Sequence, residues 1–156
     1  FYDIQNSILF SEKNLKISNS KISPPIYTTN DNSDLDIKSS ELYSAMTFGS
    51  NANIDLNNVL IENSLLTAVE TFGDNSNINL YDVVISNNFN GVVTNGDFSE
   101  ISLKYSKVIN NQSLGVKTSG INSSININSS LVSFNGSYGI SSRSQVNSNY
   151  SNVTYN

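Results

Sequence analysis

The chain has 156 residues, of which 27 are asparagine and 29 serine; 37% of positions are hydrophobic, 13% are charged and the net charge is −5. With no cysteine there can be no disulfide and no thiolate metal site, and with no histidine the commonest general base and zinc ligand are gone. Eight thinly spread basic residues and no run near the roughly 20 apolar residues of a spanning helix give no reason to expect a nucleic-acid partner or membrane insertion.

So polar a chain could be disordered, but its Ile, Val, Leu and Phe recur at short, regular intervals. Residues 1–14 read as part of a coil already under way. Phe1-Tyr2-Asp3-Ile4 has neither an initiator Met nor the basic-then-apolar layout of a signal peptide, so the expectation is a piece of a longer protein.

From Leu15 an apolar-polar-apolar triplet repeats: Leu15-Lys16-Ile17, Leu35-Asp36-Ile37, Ile54-Asp55-Leu56, Ile78-Asn79-Leu80, Ile101-Ser102-Leu103 and Ile125-Asn126-Ile127, at spacings of 20, 19, 24, 23 and 24. Alternation with period two is a strand with one buried face. A second strand follows at Val59-Leu60-Ile61, Val83-Val84-Ile85, Val108-Ile109 and Leu131-Val132-Ser133-Phe134, with Ile22 and Leu42 as its remnants in the short coils. Next comes an asparagine column at Asn63, Asn87, Asn110 or Asn111, and Asn135, expected to be a buried structural ladder of stacked amides.

The third strand carries an apolar column at Ile26, Ala45, Ala68, Val92, Val116 and Ile140, and two residues on, Thr28, Thr47, Glu70, Thr94, Thr118 and Ser142. Period two puts these hydroxyls on the inner face, where they are expected to be hydrogen-bonded. The outward neighbours are Tyr27, Met46, Val69, Val93, Lys117 and Ser141. The phrase Thr67-Ala68-Val69, Gly91-Val92-Val93, Gly115-Val116-Lys117, Gly139-Ile140-Ser141 returns every 24 residues, a period that marks a solenoid.

The expected fold is all-β: a single-stranded right-handed parallel β-helix of 6–7 coils of 19–24 residues, three short strands per coil. It forms one solenoid domain over 1–156, divided into a partial coil 1–14, short coils 15–53, regular coils 54–145 and a partial coil 146–156. Repeats such as Val84-Ile85-Ser86-Asn87-Asn88-Phe89-Asn90-Gly91-Val92 resemble the pectate-lyase-like right-handed β-helix superfamily. The competing fold is a leucine-rich repeat, whose opening pattern Leu80-x-x-Val83-x-Ile85-x-x-Asn88 fits, although Ser106 and Ser130 occupy one of its apolar positions in the neighbouring coils.

The resemblance implies an Arg or Lys base with calcium on acidic side chains in lyases, or clustered aspartates in hydrolases. The chain departs from both: Arg143 is alone, the acids are scattered, and no catalytic residue is expected. No cofactor is expected either, the weak candidates for a shared calcium ion being Asp36 and Asp55, which Lys16 and Lys38 would neutralise in the competing reading. The first-strand outward face is polar, and Asn79, Tyr81, Lys104 and Asn126 are its candidates for carbohydrate contact. Six N-x-Ser/Thr sequons occur, as many as composition predicts by chance; Asn128 and Asn122 are the candidates for glycosylation.

The expected function is a non-catalytic structural segment of an extracellular or cell-surface protein, touching a polysaccharide or glycan along one face and packed against flanking coils of its own chain. One alternative is the inert end of a polysaccharide lyase or glycoside hydrolase; another is a viral or phage spike segment.

Overall fold

The computed structural model describes residues 2–4 and 9–154, and the expectations placed on residues 1, 5–8 and 155–156 lie outside them. The described chain is all-β, without helix, and winds into a parallel β-solenoid of about six turns. Two parallel sheets carry it, one of 13 strands and one of seven. The larger holds the first and second strand of each coil, and the smaller holds the third.

Alternation decides which side chains face in. In the first-strand row, Leu35, Ile54, Ile78, Ile101 and Ile125 are paired rung on rung, as are Ile37, Leu56, Leu80, Leu103 and Ile127, and all ten are buried. The second-strand row adds Ile22, Leu42, Ile61, Ile85, Val108 and Val132, each fully or almost fully buried. Burying a side chain of this size is worth roughly 1.5–3 kcal/mol, so this narrow core is the main source of cohesion. In Leu35–Leu42 and Ile54–Glu62 the first and second strands run on as one bent strand, and two consecutive exposed residues mark each bend.

The third-strand register differs from the expectation at one coil. Its inward column is Ile26, Ala45, Val69, Val92, Val116 and Ile140, so Val69 takes the place expected of Ala68. Two residues on, the hydroxyl column runs Thr28, Thr47, Thr71, Thr94, Thr118 and Ser142, and Glu70 faces outward beside Met46 and Val93. The cause is one additional residue in the turn at Leu65-Leu66: Ser64 aligns with Asn88, but Thr67 aligns with Asn90. The 24-residue phrase therefore breaks at its first step. The column also departs from the expected hydrogen bonding. Thr28 Oγ1 donates to Ser33 O at 3.3 Å and Thr118 bonds Ser142 at 2.8 Å, but the buried hydroxyls of Thr47, Thr71 and Thr94 have no partner among the described residues.

The three corners of each coil share one construction. A residue in the left-handed region turns the chain, and the next residue points inward: a serine or asparagine after thirteen of the sixteen such residues, and the apolar Ala52, Val59 and Val83 after the other three. At the first corner the left-handed residues are Asn19, Ser39, Asn58, Asp82, Tyr105, Ser129 and Tyr150; at the second Asn63, Asn87, Asn110 and Phe134; at the third Asn32, Asn51, Asn75, Phe98 and Asn122. Nine of these sixteen are asparagine, the side chain that best tolerates positive φ after glycine. That use accounts for a third of the chain's 27 asparagines.

The residue after each turn forms a ladder. At the first corner the backbone N–H of Ser106 donates to Ser130 Oγ at 3.0 Å, and that of Val83 to Ser106 Oγ at 3.1 Å. At the third, Ala52, Ser76 and Ser99 donate in the same way to Ser76, Ser99 and Ser123. At the second corner the ladder is asparagine: Asn88 N and Nδ2 both donate to Asn111 Oδ1, and Asn111 N and Nδ2 both donate to Asn135 Oδ1. Asn63 and Asn87 are exposed turn residues one position before this ladder, which runs Ser64, Asn88, Asn111, Asn135. The expected ladder column is thereby corrected at its first two members, and Asn111, not Asn110, belongs to it.

Glycine serves close approach here, since none of the glycines has positive φ. A Cβ on Gly73 would meet the carbonyl of Gly49, and one on Gly96 the carbonyl of Gly73, so a side chain at either position would require the turn to shift.

Two measurements check this account. Thr71→Val, which removes a buried hydroxyl without a partner, is expected to leave the unfolding free energy unchanged or raise it by up to about 1 kcal/mol in denaturant titration. Asn111→Ala, which strips the acceptor from two Asn88 donors, is expected to lower it by about 3 kcal/mol.

Candidate functional site

The outward side of the first-strand row is the surface on which the polar candidates converge. Because inward positions alternate with outward ones, one column reads Lys16, Asp36, Asp55, Asn79, Ser102, Asn126, Asn147, and a second, two residues along, reads Ser18, Lys38, Asn57, Tyr81, Lys104, Asn128, Asn149. Between them runs an open groove of about 420 Å³ lined by Asp36, Lys38, Asp55, Asn79, Tyr81 and Lys104 among others. It continues past Ser102 and Lys104 into a second depression of about 280 Å³ bordered by Asn126, Asn128, Asn147 and Asn149.

The amino-terminal end of the groove is ionic. Asp36 lies 3.2 Å from Lys38 Nζ and 3.8 Å from Lys16 Nζ. Asp55, one rung up from Asp36, accepts a hydrogen bond from Asn79 Nδ2 at 2.8 Å. The two carboxylates are thus adjacent, as expected, but they are engaged by different partners. Among the described residues no three His, Cys, Asp or Glu side chains gather as metal ligands. Farther along, amides succeed the charges: Asn147 Nδ2 donates to Asn126 Oδ1 at 2.7 Å, and Asn126 Nδ2 to Glu100 Oε1 at 2.8 Å.

The middle of the groove is aromatic. Tyr81 and Tyr105 meet edge to face with ring centroids 5.5 Å apart, and Lys104 Nζ lies 5.6 Å from the first ring and 5.3 Å from the second. Cation–π attraction to the two rings holds the Lys104 ammonium at the edge of the groove that it lines. The groove can therefore ion-pair, hydrogen-bond through amides, and stack against a flat apolar face.

The structure brings Asn79, Tyr81 and Lys104 into one groove and places Asn126 in its continuation. Tyr105 lies beside the groove, outside its lining, and touches it through Tyr81 and Lys104; alternation does not predict this, because Tyr105 sits on the corner where alternation stops. The signal was present nonetheless: a tyrosine at a column otherwise occupied mostly by Asn, Asp and Ser. Asn128 is exposed on this face and its Oδ1 accepts from Ser129 Oγ, while Asn122 is an exposed third-corner turn residue. The sequon asparagines Asn111 and Asn135 are buried in the ladder. Arg143 lies in an exposed bend at the carboxy-terminal end of a third strand.

Comparison of the chain with family models, with curated proteins and with solved structures returns no match.

With Asp36 held by two lysines and Asp55 by an amide, calcium at about 1 mM, the concentration at which weak extracellular sites fill, is expected to leave the melting midpoint unchanged. A clear calcium-dependent rise, abolished in Asp55→Asn, would show that the carboxylates prefer the ion to their present partners.

Proposed function

We propose that the chain is a non-catalytic, rod-like segment of an extracellular or cell-surface β-helix, of the right-handed pectate-lyase-like kind, that holds a polysaccharide or glycan along its first-strand face. The observation that carries this reading is the groove in which Tyr81, Lys104 and Asn79 converge. Sugar recognition calls for a half-exposed aromatic ring to pack against the C–H face of a pyranose and for fixed amide and ammonium groups to meet its hydroxyls, and these are the groups present.

The rest of the molecule is consistent with a scaffold role. With no cysteine the coils are held by stacking and not by disulfides, so each added coil extends the same surface by one rung. The polar exterior and the scattered acids support binding over bond cleavage.

The test is affinity electrophoresis of the purified chain through gels containing a panel of polysaccharides. At least one is expected to retard it, and Tyr81→Ala, a change at a half-exposed side chain, is expected to weaken binding about tenfold with the fold retained. Migration unchanged in every gel, or cleavage of an acidic polysaccharide that is lost in Arg143→Ala, would overturn the proposal.

A further inference from the structure

The corners contain a conformational anomaly. Most left-handed positions hold Asn, Asp or Ser, whose short polar side chains suit positive φ, but four hold aromatic residues: Phe98, Tyr105, Phe134 and Tyr150. A bulky residue gains nothing from this backbone region and is strained in it. Tyr105, with φ of 55°, is also 51% exposed, so burial does not offset the strain. What distinguishes its surroundings is the groove beside it: the Tyr105 ring stands edge to face with Tyr81 and beneath the Lys104 ammonium, and both of those residues line the groove.

We infer that Tyr105 is a ligand-contact residue kept at a cost to the fold, forming with Tyr81 and Lys104 the platform for an uncharged hexose polymer that lies along the solenoid axis. This rests on the reading of the face as a carbohydrate site and adds the class and orientation of the ligand. The orientation follows from shape. The groove and its continuation run from Asp36 to Asn149, six rungs or roughly 24 Å of axis, which suits an extended chain and not a single sugar.

The charge class follows from the carboxylates. Asp55 has only an amide partner, Asp36 already occupies two lysines, and Glu100 closes the far side through Asn126, in a chain of net charge −5. A polyanion would meet Asp36 and Asp55 on adjacent rungs and Glu100 two rungs on, with Lys16 and Lys38 already paired to Asp36 and Lys104 left to face it, whereas hydroxyls find the amides of Asn79, Asn126 and Asn147 as donors and acceptors. Lys104 then serves as a hydrogen-bond donor to hydroxyl or ring oxygen, held by the two tyrosines.

The experiment is isothermal titration calorimetry of the wild-type chain with cellohexaose, mannohexaose and maltohexaose, and with an oligogalacturonate of equal length as the charged comparator, alongside Tyr105→Asn, Tyr105→Phe and Phe98→Asn. An uncharged hexaose is expected to bind more tightly than the oligogalacturonate. Tyr105→Asn is expected to weaken binding about tenfold while its melting midpoint stays level or rises, because asparagine suits the corner better. Tyr105→Phe should bind within about twofold of wild type, the ring being retained. Phe98→Asn should gain the same stability with binding unchanged. Undiminished binding by Tyr105→Asn, a fall in its melting midpoint, or tighter binding of the charged oligomer overturns the inference alone. Failure of the wild type to bind any oligomer overturns the carbohydrate reading on which it rests.

Discussion

Each coil has backbone N–H groups at its corners that cannot be satisfied within the coil, and an adjacent coil supplies the acceptor. Along the strands the partners are carbonyls, as in any parallel sheet. At the corners the chain turns away from that geometry, and an unpaired buried N–H there would cost on the order of 1–3 kcal/mol per coil. In the regular coils the fold meets this at the corners with a side chain from the next coil, serine hydroxyls at the first and third and asparagine amides at the second, and the serine ladders are interrupted where Val59, Val83 and Ala52 hold the position. The left-handed residue before each ladder position is what aims that side chain inward.

The composition follows from this arrangement. Asparagine is abundant because it fills two different roles at consecutive positions, the strained turn and the ladder, as in Asn87-Asn88 and Asn110-Asn111. Serine is abundant because the other two ladders need a small hydroxyl. With the corners so occupied, what remains for function is the outward side of the strands and the few corners where another residue type intrudes. The groove between Asp36 and Lys104 is the first kind of surface, and Tyr105 the second.

Legibility in the sequence followed the same division. The first-strand triplets were readable because alternation of Ile or Leu with polar residues survives in six successive coils, failing only at Val146-Asn147-Ser148, and their register is that of the structure. The third strand was misread at Ala68 because an additional residue in the Leu65-Leu66 turn shifts the strand by one, and Thr67-Ala68-Val69 matches the later coils about as well in either register. The asparagine column was placed one residue early at Asn63 and Asn87. At Asn87-Asn88 the turn residue and the ladder residue are chemically identical and only the backbone angle separates them, and at Asn63-Ser64 the ladder residue is a serine, so an asparagine pattern picks the turn instead. The serine ladders were hidden among 29 serines. On the candidate site, Asn79, Tyr81 and Lys104 were legible as outward positions of a strand, but Tyr105 was not, since a corner has no period from which to read a direction.

The claim on which the whole account depends is that corner N–H groups are sealed by the next coil's side chains. Native-state amide hydrogen exchange measures it residue by residue. The account predicts that the corner amides of Ser76, Asn88, Ser99, Ser106 and Asn111 exchange as slowly as strand amides such as Ile85 and Leu103, through the same large-scale opening. Fast exchange at these five amides, with the strands still protected, would contradict it.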